Sequence, residues 1–319
     1  MKRLIYISLL VLLLSACNHK ELCLQHPHTV RLKVEYDWQN APDASPKGMC
    51  VFFYPSEGGN YIRADFSGKE GGYVEIPVGK YNVITYNNDT EAVMFANVND
   101  YAGHQAFTRE GSVLGPALGS MAPPDLKLAG VEQERVVITP DMLWGYSEED
   151  VAVVEMTTDG EENKLTLFPE DLVCHYTYEI RNVNNLKHAV MMCASLSGMS
   201  GRLTLSNKEL HPECVTIPFE AKVDRKNSLI TGEFYTFGHH PDNDVHKMLL
   251  YVWMDDGQKL YFGADDEDFN LTYQVDMAPN PKRVHLVVDG LELPLPIEDG
   301  NGFRPSVDDW TNVNEDINM

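Results

Sequence analysis

Short segments in which apolar and polar residues alternate constrain the fold of this chain more than any other feature. Across residues 30–36, Val, Leu, Val and Tyr alternate with Arg, Lys and Glu, and residues 172–181 repeat the pattern. Alternation of this kind places one face of a strand in a core and the other face in solvent. Long stretches with the period of an amphipathic helix are missing from the sequence, and we therefore predict an all-β protein.

The predicted strands are separated by turn sequences rich in Gly, Pro, Asp and Asn, such as Asp-Asp-Gly-Gln at residues 255–258. Many short strands at this spacing, without a longer repeat, are typical of β-sandwiches rather than of propellers or solenoids. The strands that we predict lie at residues 30–36, 49–54, 73–76, 81–86, 136–139, 172–181, 202–205, 214–223, 229–237, 248–254, 259–262, 269–275 and 283–288.

The pattern also predicts two domains, with the crossing between them at residues 144–149. We accordingly expect one sandwich over residues 28–145 and a second over residues 146–319. Residues 98–134 contain Gly-Pro and Pro-Pro steps and predict an extended loop, whereas residues 186–196 fit either a short helix or a strand.

The N-terminus has the features of a bacterial lipoprotein signal. Lys2 and Arg3 precede an apolar run at residues 4–14, which is too short to span a bilayer but suits a signal peptide. Leu14-Ser15-Ala16-Cys17 then matches a lipobox, in which the thiol receives the lipid. The alternative is an ordinary signal peptide that happens to be followed by a cysteine. We predict a signal peptide at residues 1–16, lipid on Cys17 and a tether over residues 17–27.

The chain is strongly acidic, with a net charge of −23. A surface of this sign disfavours binding to nucleic acid and to anionic membrane surfaces. Five cysteines remain besides Cys17, and they are Cys23, Cys50, Cys174, Cys193 and Cys214. Their odd number and the lack of CxxC spacing argue against a zinc site made of cysteines. A disulfide among the last three and buried free thiols are both compatible with the sequence.

One segment is the best metal-binding candidate by residue type. It contains His239, His240, Asp242, Asp244 and His246. The same residues fit an ordinary polar loop between strands, and we expect neither a metal nor a cofactor. His26-Pro27-His28 and the acidic run at residues 265–268 are also expected to be loops. Catalytic motifs such as GxSxG are missing, and we predict that the protein is not an enzyme.

Several aromatic residues raise the alternative of a sugar-binding surface. A glycan platform requires exposed coplanar rings, whereas aromatic residues in or beside strands usually belong to a core. The residues concerned are Trp38, Tyr54, Tyr61, Trp144, Trp253 and Trp310.

The order of several motifs resembles the fimbrillin-type lipoproteins of Bacteroidales, in particular an anchor-like branch known by a domain of unknown function. The motifs are the lipobox, Tyr36-Asp37-Trp38, Gly48-Met49-Cys50-Val51-Phe52-Phe53-Tyr54-Pro55, residues 78–87, Ser197-Gly198-Met199, and the C-terminal residues 302–310 with Val313, Asp316 and Ile317. The resemblance implies two tandem transthyretin-like Greek-key β-sandwich domains. It also implies an anchor or accessory subunit that docks partner strands, fixed to the outer membrane through Cys17 and exposed at the cell surface.

Polymerising subunits of this type lose an N-terminal strand by proteolysis after an arginine in a loop. Arg31 falls in the first predicted strand and Arg63 near a turn, and neither has a clear cleavage context. This departure favours an anchor over a shaft subunit. We therefore expect a non-enzymatic, lipid-anchored fimbrial subunit, with a surface glycan-binding lipoprotein as the alternative.

Overall fold

A computed structural model describes residues 28–119, 134–155, 162–243, 245–263 and 266–296, and the structural statements below refer to these ranges. Helices long and apolar enough to cross a membrane are not found among these residues. Several predicted features lie outside the described residues, namely the signal peptide, Cys17, the rest of the tether to residue 27, Cys23, His26, Asp244, Asp265, Trp310 and the C-terminal motif.

The strands of the first half are two to ten residues long. They are β1 (Thr29–Tyr36), β2 (Gly48–Pro55), β3 (Ile62–Ser67), β4 (Gly71–Pro77), β5 (Gly79–Asn87), β6 (Val93–Ala96), β7 (Gln105–Thr108), β8 (Arg135–Val136), β9 (Trp144–Val153), β10 (Asn163–Leu167) and β11 (Glu170–Asp171). A short helix, α1 (Gly115–Leu118), lies between β7 and β8.

The strands of the second half are longer on average. They are β12 (Cys174–Asn184), β13 (Ala189–Ser200), β14 (Arg202–Thr204), β15 (Cys214–Glu220), β16 (Lys222–Asp224), β17 (Leu229–Thr236), β18 (Met248–Met254), β19 (Lys259–Phe262) and β20 (Arg283–Glu292). A second short helix, α2 (Thr272–Asp276), precedes β20.

Two sheets form the first sandwich. A three-stranded sheet of order β10-β1-β4 packs on a five-stranded sheet of order β11-β9-β5-β2-β3. The alternation predicted for β1 holds, because Leu32 and Val34 are buried while Arg31 is exposed. Strand β2 is different, since every residue of it except Pro55 is buried. A continuous apolar run of this kind is expected where both faces of a sheet are covered.

A third sheet, of order β14-β7-β6, covers the outer face of the five-stranded sheet. The contact is largely aromatic, and the rings of Tyr86 and Phe95 stack with their centroids 4.0 Å apart. His104 lies fully buried beneath them, where its Nδ1 is 2.7 Å from the Tyr54 hydroxyl oxygen and its Nε2 is 3.3 Å from the Tyr86 hydroxyl oxygen. Burial, together with the charge of Arg63, lowers the pKa of His104 to about 4.

The second sandwich packs a four-stranded sheet of order β16-β17-β12-β20 against a five-stranded sheet of order β19-β18-β13-β15-β8. Its core contains Tyr176, Phe219 and Phe234, and the rings of the last two stack with an interplanar angle of 2°. Strand β20 runs parallel to β12. It is the last described strand of the chain and forms an edge of its sheet.

The predicted all-β class and the β-sandwich architecture are confirmed. The boundary that we predicted between residues 145 and 146 falls inside β9, which pairs with β5 in the first sandwich. Residues 163–167 also belong to that sandwich, since β10 pairs with β1. The division into two tandem domains stays a prediction, and the described strands move its boundary towards Cys174.

Three local predictions need correction. Residues 269–275 do not form a strand, because Asn270 accepts hydrogen bonds from the backbone N–H and hydroxyl of Thr272 and so favours the turn into α2. The predicted loop at residues 98–134 contains β7 and α1. A strand was predicted at residues 136–139, but the observed strand, β8, contains only Arg135 and Val136.

The ambiguous segment at residues 186–196 forms a turn of 3-10 helix at Leu186–His188, followed by β13 in the middle of its sheet. Disulfides do not join the cysteines that the structure describes. Burial raises the pKa of the Cys50 and Cys193 thiols to about 12 in each case, which keeps both protonated and unreactive at neutral pH.

His104 is expected to make the fold sensitive to mild acid. Its pKa is lower in the folded state, so its contribution is complete above the ordinary histidine pKa of about 6.5 and is lost as the pH falls through about 4. The full loss corresponds to about 3 kcal/mol of the free energy of unfolding.

Urea unfolding of the native chain and of His104→Asn at pH 7 and pH 4 measures this effect. We expect the native chain to lose more stability than the variant between the two pH values. His28→Asn, at an exposed histidine, is the control and should behave as the native chain does. An equal loss in the native chain and His104→Asn would contradict the prediction.

Candidate functional site

The second sandwich contains a cleft between the edges of its two sheets. On one side, β15 pairs with β13 along its length but with β8 only at Val215 and Thr216. On the other side, β17 pairs with β12 along most of its length but with β16 only over residues 229–231. Residues 217–220 and 232–236 therefore lack a second strand partner within the described part of the chain.

The floor of the cleft is apolar and its rim is charged. The stacked rings of Phe219 and Phe234 line it, with centroids 4.0 Å apart. Glu110, Glu220 and Lys222 are exposed at the rim. The cavity volume is about 940 Å³, which is at the upper end of the usual range for ligand pockets.

The edge of β15 that faces the cleft (the β15 lip, residues 217–220) presents few hydrogen-bonding groups to it. The Thr216 carbonyl accepts a hydrogen bond from the Val137 N–H at 3.0 Å, so it points away from β13. Since backbone groups alternate along a strand, those of Pro218 point the same way. The Glu220 carbonyl already accepts a hydrogen bond from the Tyr178 hydroxyl at 2.8 Å. Proline has no N–H to offer, and its position at a strand edge is one of those that sheets tolerate.

The edge of β17 that faces the cleft (the β17 lip, residues 232–236) is hydrogen-bonded at one residue by a side chain. The Thr139 hydroxyl donates to the Tyr235 carbonyl at 2.8 Å and accepts from the Tyr235 N–H at 3.0 Å. It therefore occupies the place that a neighbouring strand would take at this residue. By the same alternation, the backbone N–H and carbonyl of Glu233 face the cleft without a strand partner among the described residues.

Hydrogen bonds and ion pairs fix the polar side chains around the cleft. Glu233 lies 3.1 Å from His175 and 3.8 Å from Lys222. Arg135 lies 2.7 Å from Glu213 and holds the pKa of that carboxyl below its usual range, chiefly through a hydrogen bond. These pairs are half-exposed and contribute little stability each, so their main effect is on the charge of the rim.

The outer edge of β20 is capped at Val287. The side-chain amide of Gln274 in α2 donates to the Val287 carbonyl at 2.8 Å and accepts from the Val287 N–H at 2.8 Å. At this one residue Gln274 takes the place of a neighbouring strand. Tyr273 and Met277 beside it are 75% and 64% exposed.

The predicted metal-binding residues separate into two groups. His239 and His246 lie beside Asp276, with one ligand atom from each within 4.8 Å of the others. His240 is not part of this cluster and instead lies 3.6 Å from Asp242. Sequence reasoning missed Asp276, because it follows residues for which we predicted a strand rather than α2.

Burial lowers the pKa of both His239 and His246, although Asp276 opposes the shift. A lowered pKa keeps both imidazoles neutral at neutral pH, and the neutral ring is the form that binds metals.

Glu134 directly precedes β8 in the sequence, and burial raises the pKa of its carboxyl. It accepts hydrogen bonds from Thr216 Oγ1 at 2.8 Å and from the Gly198 N–H at 3.2 Å.

The aromatic residues singled out for sugar binding do not form a platform within the described residues. Tyr54 is buried in the aromatic layer between sheets, and Trp38 and Trp144 are half-buried in the first sandwich. Trp253 lies in β18 of the other sandwich and is also half-buried. Coplanar exposed rings, which glycan stacking requires, are not found among them.

The fold and the cleft define a protein built of β-sandwiches, with an open cleft at the side of the second one. The chain belongs to the family described as "Domain of unknown function (DUF5119)", whose sequence pattern matches residues 16–220. The predicted resemblance to the anchor-like fimbrillin branch is confirmed.

Among curated proteins, the chain is similar to "Putative fimbrium anchoring subunit Fim4B" of Bacteroides ovatus, with 23% identity over 227 residues. The match covers 71% of this chain and 62% of that relative. Among solved structures, it is similar to a protein of Bacteroides ovatus described as a "putative adhesin", with a TM-score of 0.61 and 19% identity over 85% of this chain and 91% of the other. At this identity the likeness shows a shared fold.

The Thr139 hydroxyl is expected to hold the β17 lip. Thr139→Val keeps the shape of the side chain but removes both hydrogen bonds to Tyr235, which should lower the free energy of unfolding by about 1–2 kcal/mol. Thr139→Ser keeps the hydroxyl and should cost less than the valine substitution. Urea unfolding measures the difference, and hydrogen exchange should show faster exchange at the Tyr235 amide in the valine variant alone. Equal stability of the two variants would contradict the assignment.

Proposed function

We propose that this protein is a non-enzymatic anchoring or accessory subunit of a surface fimbria, and that its lateral cleft accepts an extended segment of a partner subunit. The observation that carries the proposal is the cleft itself, where residues 217–220 and 232–236 lack a second strand partner in the described structure. The similarity to a relative named as a fimbrium anchoring subunit supports the fimbrial role.

An extended segment in the cleft would take the position next to β17 that β16 leaves after Thr231. It would pair with the free backbone groups of Glu233 and end at Thr139. Main-chain pairing of this kind supplies affinity, while a pocket for alternate side chains supplies specificity. The rings of Phe219 and Phe234 lie at the bottom of the cleft and are each only 2% exposed. An apolar side chain placed there would therefore be stabilised mainly by its own removal from water.

The position of the arginines supports an anchor rather than a shaft subunit. Arg31 lies within β1, between β10 and β4, and its guanidinium packs 3.9 Å from the centre of the Tyr73 ring. Arg63 lies in β3 and forms a hydrogen bond with Asp65 at 2.7 Å. Proteolysis requires an accessible extended loop, and both residues are instead held in strands. In this proposal β1 stays in place and Cys17 carries the lipid that holds the protein at the outer membrane.

A bulky residue in the cleft is expected to block partner binding. Gly115 lines the cleft and has open space around it, so Gly115→Trp should fill part of the cavity without disturbing neighbours. Ser67→Trp, on an exposed position of β3 in the first sandwich, is the matched control. We expect capture of fimbrial subunits from cross-linked cells to fall by about tenfold or more in the first variant, since every 1.4 kcal/mol of lost affinity is tenfold.

The result separates the two parts of the proposal. Capture by the native chain and by Ser67→Trp, but not by Gly115→Trp, supports docking in the cleft. Equal capture by all three moves the docking site elsewhere and leaves the fimbrial role standing. If the native chain holds no fimbrial subunit on intact cells, the role itself is wrong.

Lipid attachment is tested separately at Cys17. Cys17→Ser removes the thiol that would be acylated, so labelled palmitate should no longer be incorporated and the protein should leave the membrane fraction. Protease shaving of intact cells then reports whether the native protein faces outward. Incorporation of label by Cys17→Ser would contradict lipidation at this residue.

A further inference from the structure

The cluster of His239, His246 and Asp276 has the geometry of a metal site. The Asp276 Oδ1 atom lies 3.7 Å from His239 Nε2 and 3.9 Å from His246 Nε2. The three side chains come from different parts of the second sandwich, since the histidines flank the loop before β18 and Asp276 ends α2.

His246 is held with one nitrogen directed at the cluster. The side chain is fully buried, and its Nδ1 lies 3.3 Å from the Ser197 carbonyl. A carbonyl only accepts hydrogen bonds, so Nδ1 carries the proton and Nε2 carries the lone pair. Nε2 has no hydrogen-bond partner in the described structure, although it is buried. Histidines that bind metals are commonly oriented in this way by a hydrogen bond from the other nitrogen.

The backbone next to His246 is shaped around its ring. Strand β13 has a bulge between Leu196 and Met199, and Gly198 within it has a φ of +75°. A Cβ atom at Gly198 would lie 2.6 Å from His246 Nδ1 and 2.3 Å from the Val245 carbonyl oxygen. Only glycine leaves room for the imidazole here and also tolerates this conformation.

We propose that His239, His246 and Asp276 bind a divalent transition-metal ion of the zinc class. Two imidazole nitrogens and one carboxylate oxygen form a ligand set typical of such ions, with water in the remaining position. Tetrahedral zinc with bonds of about 2.0–2.1 Å places its ligands roughly 3.3 Å apart. The partly exposed side chains of His239 and Asp276, at 21% and 45%, need only small rotations to reach this spacing.

Metal binding would fix the end of α2 to the loop before β18. Gln274 in the same helix caps the edge of β20 through Val287. The ion would thus hold the residue that protects this edge, and it would stabilise the folded state because it binds that state alone. This inference does not depend on the fimbrial role.

Zinc titration of the full-length protein, purified in detergent without a polyhistidine tag and stripped of metal, tests the site. We expect one equivalent of Zn²⁺ to bind and to persist in excess Mg²⁺, and Co²⁺ to give the visible absorption of a tetrahedral site. His239→Asn and Asp276→Asn should each weaken Zn²⁺ binding by about tenfold to a hundredfold or more, because even outer-shell changes have effects of this size. Both residues are partly exposed, so these variants should fold.

His240→Asn is the matched control, since the same substitution falls on the adjacent histidine outside the cluster. Binding retained by His240→Asn and weakened by the other two variants, with a zinc-dependent rise in melting temperature only in the proteins that bind, supports the site. Equal zinc binding by all four proteins, equal loss in His240→Asn, or no binding by the native protein would overturn it.

Discussion

The burial of β2 on both faces is the constraint on which the rest of the structure depends. Met49, Val51 and Phe53 face the first sandwich core, while Phe52 and Tyr54 face the opposite side. A sheet with two apolar faces needs a layer on each, because its exposed area would otherwise be unfavourable in water. The second layer is completed by β14, which follows β13 of the other sandwich. The two halves of the chain are therefore joined by the packing requirement of one strand.

Strands with one buried face could be predicted from the sequence, whereas the layer that covers the second face of β2 could not. Alternating strands such as β1 and β12 show which face is buried, and the all-β class followed from them. The apolar run of β2 also indicated a strand, but a local pattern does not say which layer covers its second face. The third sheet is made of short strands, and β7 joins β14 from far along the chain. A pairing of this kind depends on the whole fold, so the boundary at residues 145 and 146 was placed too early.

The sites were predictable to different degrees. His239 and His246 share one loop, and their residue types alone made them candidates. Asp276 joins them only because residues 272–276 are helical, and the apolar character of Phe269 and Leu271 had suggested a strand instead. The cleft was not predictable, because it lies where strand pairing stops, after Thr216 in β15 and after Thr231 in β17. Sequence patterns indicate strands, whereas the ends of pairing depend on how neighbouring sheets turn away from each other.

Side chains at the edges of the second sandwich limit which strands could pair with it. The β20 edge is capped by Gln274, and the cleft edges are blunted by Pro218 and Thr139. Such devices prevent indiscriminate pairing between copies of a β protein. The net charge of −23 acts in the same direction, since it makes two copies repel each other. What remains accessible is the cleft, with a rim of mixed charge and the backbone of Glu233. If the cleft accepts a strand as proposed, these features favour a short segment of a different chain over a second copy of this one.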